Sequence, residues 1–350
     1  MSFQSASGRL AAAARPFAMA LLCAAACSVS LAATSAYTVA DLGVLNGGAY
    51  ASARAINLQG SVIGMAMDGQ TLTNKQAMWR GGNVTVWSNC CNAGSGIPTR
   101  LNNGLEAVGY ESAGYASGPL YWDATGKVTT LPSFPGTVVS WGFAYDINVN
   151  GLIAGQTQDA NNVRHAVVWN RTVMQQDLGT LMGASSSSAR GINDLGDVVG
   201  DADGYAFLWR NGALTRLGAG VALDINNSGL ILGNAPGMVP VLWRNGVMEN
   251  LRALSGARVA YGHTVTGLNN RNEVAGYAPA LRAPYQDTAV IWSNGRAVDL
   301  GRFPGGTVSR AYGINDNGQI VGEGNLVPNG PMHALRWTPK QAPVVAAGAE

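Results

Sequence analysis

The sequence predicts an all-β protein: a seven-bladed β-propeller of four-stranded antiparallel blades, closed by the strand that follows an N-terminal signal peptide. Three observations predict it. A marker pair, Ile-Asn or Leu-Asn, recurs seven times at near-constant spacing. Each marker is followed by a short apolar run ending in tryptophan. The last repeat lacks its final strand, and a segment of that type stands at the front of the chain.

The markers are Asn57, Asn102, Asn148, Asn193, Asn226, Asn269 and Asn315, separated by 45, 46, 45, 33, 43 and 46 residues. A period of this length suits propeller blades or helical-pair repeats. The tryptophans are Trp79, Trp122, Trp169, Trp209, Trp243, Trp292 and Trp337, which leaves only Trp87 and Trp141 of the 9 outside the pattern. Runs such as Ala166–Trp169 and Ala206–Trp209 are β-branched or aromatic and too short for helices. Asn-Gly follows at Asn211, Asn245 and Asn294, the sequence of a two-residue hairpin whose turn positions both want positive φ.

Each unit therefore reads as four strands. Strand A ends at the marker, and a tight Asn/Gly turn leads to strand B, which ends at an apolar-Gly pair. A variable loop leads to strand C, ending at Trp, and a second hairpin leads to strand D, often closing in Leu-Gly. Four antiparallel strands make one propeller blade. The seventh unit stops at Trp337-Thr-Pro339 without a strand D, while Tyr37–Gly43 (YTVADLG) has the expected sequence. Supplied from the front, it closes the ring and leaves no open edge at the seam. The domain reading is a signal peptide over 1–36, the propeller over 37–339 and a tail over 340–350.

The units resemble the HAF extracellular repeat family, whose His-Ala-Phe triplet begins strand C. The triplet position here reads His165-Ala166-Val167, Tyr205-Ala206-Phe207 and His333-Ala334-Leu335. The family's Asp-Leu-Gly, Gly-Gly and Ala-x-x-Ile-Asn sequence is matched by Asp41–Gly48 with Ala53–Asn57. The resemblance covers most of the chain and departs in the second unit (Pro119–Trp122) and in the short fifth. It implies export and no particular chemistry.

Composition agrees. Charged residues are 12%, and the chain holds 47 glycines, a pattern of a turn-rich β protein. The first 36 residues contain Arg9, Arg15 and no acid, then the apolar run Phe17–Ala32 and small residues, as in an export signal. An uncleaved anchor, or lipidation at Cys27, is the alternative. Beyond this segment basic and acidic residues balance, so nothing marks a nucleic-acid partner. No later stretch is apolar for long enough to span a membrane. The expected location is secreted or periplasmic. The neighbours Cys90 and Cys91 cannot staple distant segments. They read as a vicinal disulfide, as two thiols, or as an interchain pair.

Some residues admit sharper readings than the repeat. Asp146, Asn148 and Asn150, with Asp224 in the fifth unit, look like the first half of a calcium loop. The later carboxylate is missing, with Thr157 and Ala235 at those places. The marker asparagines then serve the hairpin, satisfying backbone groups and tolerating left-handed geometry. His165, Asp159, Arg164 and His263 are candidate catalytic groups if they share a face. No spacing calls for zinc or for another cofactor.

The A–B and C–D turns are short and lie at one rim, here the lower. The B–C and D–A loops lie at the upper rim and vary in length, with long examples at Tyr110–Gly118, Gln156–Arg164, Arg252–Thr264 and Tyr277–Asp287. Variable loops on a rigid scaffold carry binding. The candidate ligand residues are Trp141, Tyr110, Tyr115, Arg164, Arg282 and Tyr285. The expectation is an exported, non-enzymatic binding or scaffold propeller that recognises a protein or glycan. The alternative is an exported hydrolase or lyase with its site at the channel mouth.

Overall fold

The computed structural model describes residues 36–88, 96–112, 118–137, 141–179, 183–254, 260, 262–279 and 286–340. These form seven four-stranded antiparallel sheets, each ordered A-B-C-D. The strands A are Ala51–Ile56, Gly96–Leu101, Gly142–Ile147, Ser187–Ile192, Val221–Ile225, Thr264–Leu268 and Ser309–Ile314, one for each of blades 1 to 7. The only helical element among the described residues is a turn at Leu45–Gly47. No helix among them is long and apolar enough to cross a membrane.

Blade 7 closes as expected. Tyr37–Asp41 runs antiparallel to Met332–Pro339, with Tyr37 opposite Pro339 and Asp41 opposite Leu335. Leu42 N donates to Ala334 O at 2.9 Å, extending the seam. The hairpins carry the backbone that Asn-Gly predicts. Asn211 and Gly212 have φ of 51° and 78°, and Asn245 and Gly246 have 51° and 80°.

One apolar cluster fills each junction between successive blades, and each holds one repeat tryptophan. Six are buried, and Trp209 is half-buried. The exception has a local cause. In blades 3, 5 and 6 the tryptophan ring lies against the strand-B glycine, as Trp169 does at Gly155. In blade 4 the Phe207 ring lies against Gly200 instead.

That glycine does not end strand B, which is a correction to the sequence reading. Strand B runs on in every blade, for example Val62–Asp68 past Gly64 and Ile320–Asn325 past Gly322. The reason is a β-bulge in strand A of all seven blades, opposite or next to this glycine. A Cβ at Gly64 would sit 2.0 Å from Ser52 O, and one at Gly322 would sit 1.8 Å from Arg310 O. Bulges bend a strand and re-aim side chains. The bulge residues are Arg54, Thr99, Tyr145, Arg190, Leu223, Thr266 and Tyr312, and all seven are half-buried on the innermost strands.

The marker asparagines also differ from expectation. None has positive φ; that conformation falls three residues later, at Gly60, Leu105, Gly151, Gly196, Gly229, Asn272 and Gly318. Each marker Oδ1 accepts from the backbone N four residues on, as Asn148 does from Leu152 N at 3.0 Å. Each Nδ2 donates to the backbone O of the next marker around the ring. The last, Asn315 to Asn57 O at 2.9 Å, closes the circle. A second circle lies one residue later, where Asp194 N donates to Asn227 Oδ1 at 2.9 Å and Asn227 N to Asn270 Oδ1 at 2.8 Å. Its two gaps fall where the next blade offers Val149 or Leu58, which have no acceptor side chain.

Candidate functional site

The central channel has a lower mouth and an upper wall. The lower mouth is a depression of about 180 Å³ lined by the marker asparagines and their successors. Among its lining residues three charged side chains meet. Arg100 of blade 2 donates through Nη2 to Asp224 Oδ2 of blade 5 at 3.0 Å, and its Nε lies 3.5 Å from Asp146 Oδ1 of blade 3. Each carboxylate also accepts two backbone N–H groups. Asp146 takes Ile147 N and Ile192 N, and Asp224 takes Ile225 N and Leu268 N. Burial pushes the Asp146 carboxyl up to about 6, with Arg100 opposing the rise. Asp224 is raised for the same reason, again against Arg100. Two buried carboxylates share one guanidinium here.

The calcium-loop residues therefore do not converge. Asp146 faces Arg100, Asn148 Nδ2 faces Asn193 O, and Asn150 Nδ2 reaches Asp194 O at 3.2 Å. Among the described residues no group of three His, Cys, Asp or Glu side chains is placed to hold a metal.

Of the candidate catalytic groups, His165 and Asp159 lie together, while Arg164 and His263 sit elsewhere. His165 Nδ1 pairs with Asp177 Oδ1 at 3.1 Å, and its Nε2 lies 3.7 Å from Asp159 Oδ2. His333 makes the equivalent pair with Asp41 at 3.1 Å across the closing seam. These pairs join the first residue of the triplet on strand C to the Asp of Asp-Leu-Gly on strand D. Blade 4 has Tyr205 and Arg216 at those two places, and the Arg216 guanidinium stacks 3.5 Å from the Tyr205 ring centroid. One cross-strand contact thus survives a change of both partners, which identifies a structural pair. His263 packs near Trp292 in blade 6, with ring centroids 5.9 Å apart.

The upper wall brings three of the candidate ligand residues together. Tyr110, near the end of strand B in blade 2, meets Phe143 edge-on at 4.9 Å. Trp141, just before strand A of blade 3, meets the same ring at 5.2 Å. The Arg164 guanidinium lies 4.7 Å from the Trp141 ring centroid. Trp141 is held through its backbone O, which accepts from Thr157 Oγ1 at 3.0 Å and Gln158 N at 3.3 Å. Tyr115, Arg282, Tyr285, Cys90 and Cys91 lie outside the described residues.

Sequence reasoning missed Phe143, Tyr145 and Arg190. Phe143 and Tyr145 stack at 5.7 Å, and Arg190 lies 5.2 Å over Tyr145 while its Nε bonds Asp201 at 2.6 Å. Burial raises the Tyr145 hydroxyl pKa. The signal was present as Trp141-Gly-Phe143-Ala-Tyr145, an aromatic at every second residue, and alternate residues share one face of a strand.

No described protein family and no curated protein matches the sequence. Two solved structures are similar in fold. The β-propeller domain of the Trilobed protease from Pyrococcus furiosus has a TM-score of 0.53 at 10% identity, over 83% of this chain and 95% of that one. A streptogramin B lyase has a TM-score of 0.52 at 11% identity, over 86% of this chain and 98% of that one. The protease domain is described as having an open velcro topology, whereas the present ring is sealed by its own N-terminal strand. At such identities the likeness is one of architecture: this chain is a seven-bladed β-propeller.

Proposed function

We propose that this protein is an exported binding propeller of HAF-type repeats that recognises a glycan or protein through its upper rim. The observation that carries the reading is the cluster of Tyr110, Trp141, Phe143 and Tyr145 with Arg164 and Arg190, contributed by three successive blades. Aromatic and arginine side chains gathered on a rigid scaffold are the groups that dominate binding energy at interfaces. Trp141 stands where the repeat does not demand a tryptophan, so the blade core does not explain it. The polar groups suited to chemistry are committed elsewhere. His165 belongs to a repeated strand-to-strand pair, and Asp146 and Asp224 hold Arg100 and the neighbouring blade.

The test is a glycan array and a pull-down with the full chain recovered after export. A specific ligand is expected, and Trp141→Ala and Tyr110→Ala should each weaken it by about tenfold or more with the circular dichroism spectrum unchanged. Undiminished binding by both variants would move the site off this rim. Turnover of the captured ligand would replace binding with the lyase or hydrolase alternative.

A further inference from the structure

The bulge of strand A sets one half-buried residue per blade on the innermost strands, and these seven residues are not equivalent electrically. Arg190 is neutralised by Asp201. Arg310, two residues before the blade 7 bulge, takes both nearby carboxylates, Asp287 at 2.6 Å and Glu323 at 3.1 Å. Glu323 also fixes the Tyr312 ring by accepting from its hydroxyl at 2.8 Å. Arg54 of blade 1 is left over. Its guanidinium sits 4.5 Å above the Tyr312 centroid, and among the described residues no carboxylate pairs with it. Its Nε is buried and has no hydrogen-bond partner, and neither has the buried Ser52 hydroxyl two residues earlier on the same strand.

Buried donors without acceptors are costly and rare in native proteins. A guanidinium held over an aromatic ring is pre-organised, and its fork matches a carboxylate. We propose that the Arg54 guanidinium, on the innermost strand of blade 1, is an anion subsite that holds a sugar carboxylate, so that the ligand is an acidic, uronate-bearing glycan. This rests on the binding reading above and extends it from the aromatic rim to the innermost strands at the junction of blades 7 and 1. A glycan is favoured over an acidic peptide because Arg54 occupies the same bulge position in blade 1 as Tyr145 of the aromatic cluster does in blade 3. A chain of rings can lay its sugar faces on the aromatics while presenting a fixed carboxylate to Arg54.

The experiment is a thermal-shift and calorimetric titration of the full exported chain with glucuronate and, in parallel, with glucose. Glucuronate should raise the unfolding temperature through preferential binding to the folded state, and glucose should not. Arg54→Met should lower glucuronate affinity by about tenfold to a hundredfold, the range for one charge-assisted hydrogen bond or two. Arg54→Lys, which keeps the charge and loses the fork, should fall between. Arg216→Met, an arginine–aromatic stack on an outer strand, should bind as the parent does and controls for loss of packing. Equal response to glucose and glucuronate, no response to either, or an undiminished response in both Arg54 variants would overturn the subsite. The array and the Trp141 variant decide the rim separately. Trp141-dependent capture of neutral glycans would keep the binding propeller while removing its acidic ligand.

Discussion

At the scale of single residues, the decisive feature is the pair of buried carboxylates that share Arg100. Asp146 is raised to about 6, against about 3.9 in an unfolded chain. The folded state therefore binds this proton more tightly than the unfolded one. The stability tied to that proton is fully present below about pH 4 and is lost as pH rises through about 6. Unfolding temperature should accordingly climb as pH is lowered from 7 toward 5, and Asp146→Asn should flatten that slope. A parent slope no steeper than that of the Asn variant, read by calorimetry at half-unit steps, would refute the assignment. Arg100→Met should cost about 3 kcal/mol at pH 7, the usual result of stranding a buried charge, and less at pH 5. This trio was only half legible in the sequence. Asp146 and Asp224 drew notice as metal-loop residues, but their partner lies in other blades, with Arg100 and Asp224 separated by 124 positions. Aligning the repeats two residues before each marker would have shown the column Ala55, Arg100, Asp146, Gly191, Asp224, Gly267, Gly313, with its one cation and two anions. It would not have shown that they meet across a channel.

At the scale of the element, the bulge in strand A explains both a misreading and a site. The recurrent glycine looked like a strand end because glycine punctuates strands. Here it sits within strand B because the bulged strand A brings a carbonyl to where a Cβ would be. The same bulge sets Arg54, Tyr145, Arg190 and Tyr312 on the innermost strands, where Arg54 stacks on Tyr312 and Arg190 on Tyr145 of the neighbouring blade, so the device that forces glycine into one strand places these side chains on the other. Steric and conformational demands can be separated by substitution. Gly322→Ala places a methyl 1.8 Å from Arg310 O and should cost about 3 kcal/mol or more, as overpacking at a rigid backbone does. Gly295→Ala, in a hairpin with φ of 72° and nothing within 4 Å, should cost only about 1 kcal/mol. Denaturant midpoints give the comparison, and equal costs would mean that the close approach is not what selects glycine.

At the scale of the whole molecule, stability depends on the ring being closed. Seven asparagine side chains pass a hydrogen bond from blade to blade, and the circle is completed between blade 7 and blade 1. Closure itself was readable, because the last repeat lacked a strand and the front of the chain supplied one. The hydrogen-bonded circle was not, since the partner of each asparagine lies in the next blade and only blade geometry brings it near. The strand that closes the ring is Tyr37–Asp41. This strand covers the outer edge of blade 7, places Asp41 3.1 Å from His333 and leads to Gly43 O, which accepts from the buried Trp79 Nε1 at 3.2 Å. Removing residues 36–41 should therefore expose an edge strand and destabilise the seam by about 3–5 kcal/mol, the sum of several backbone hydrogen bonds. Because the vacated edge is a template for strand addition, a peptide of residues 36–44 should bind the shortened chain and restore its unfolding temperature. A scrambled peptide should not. If the shortened chain instead melts with the parent, the asparagine circle and the seven junctions alone hold the ring, and the N-terminal strand has no part in its closure.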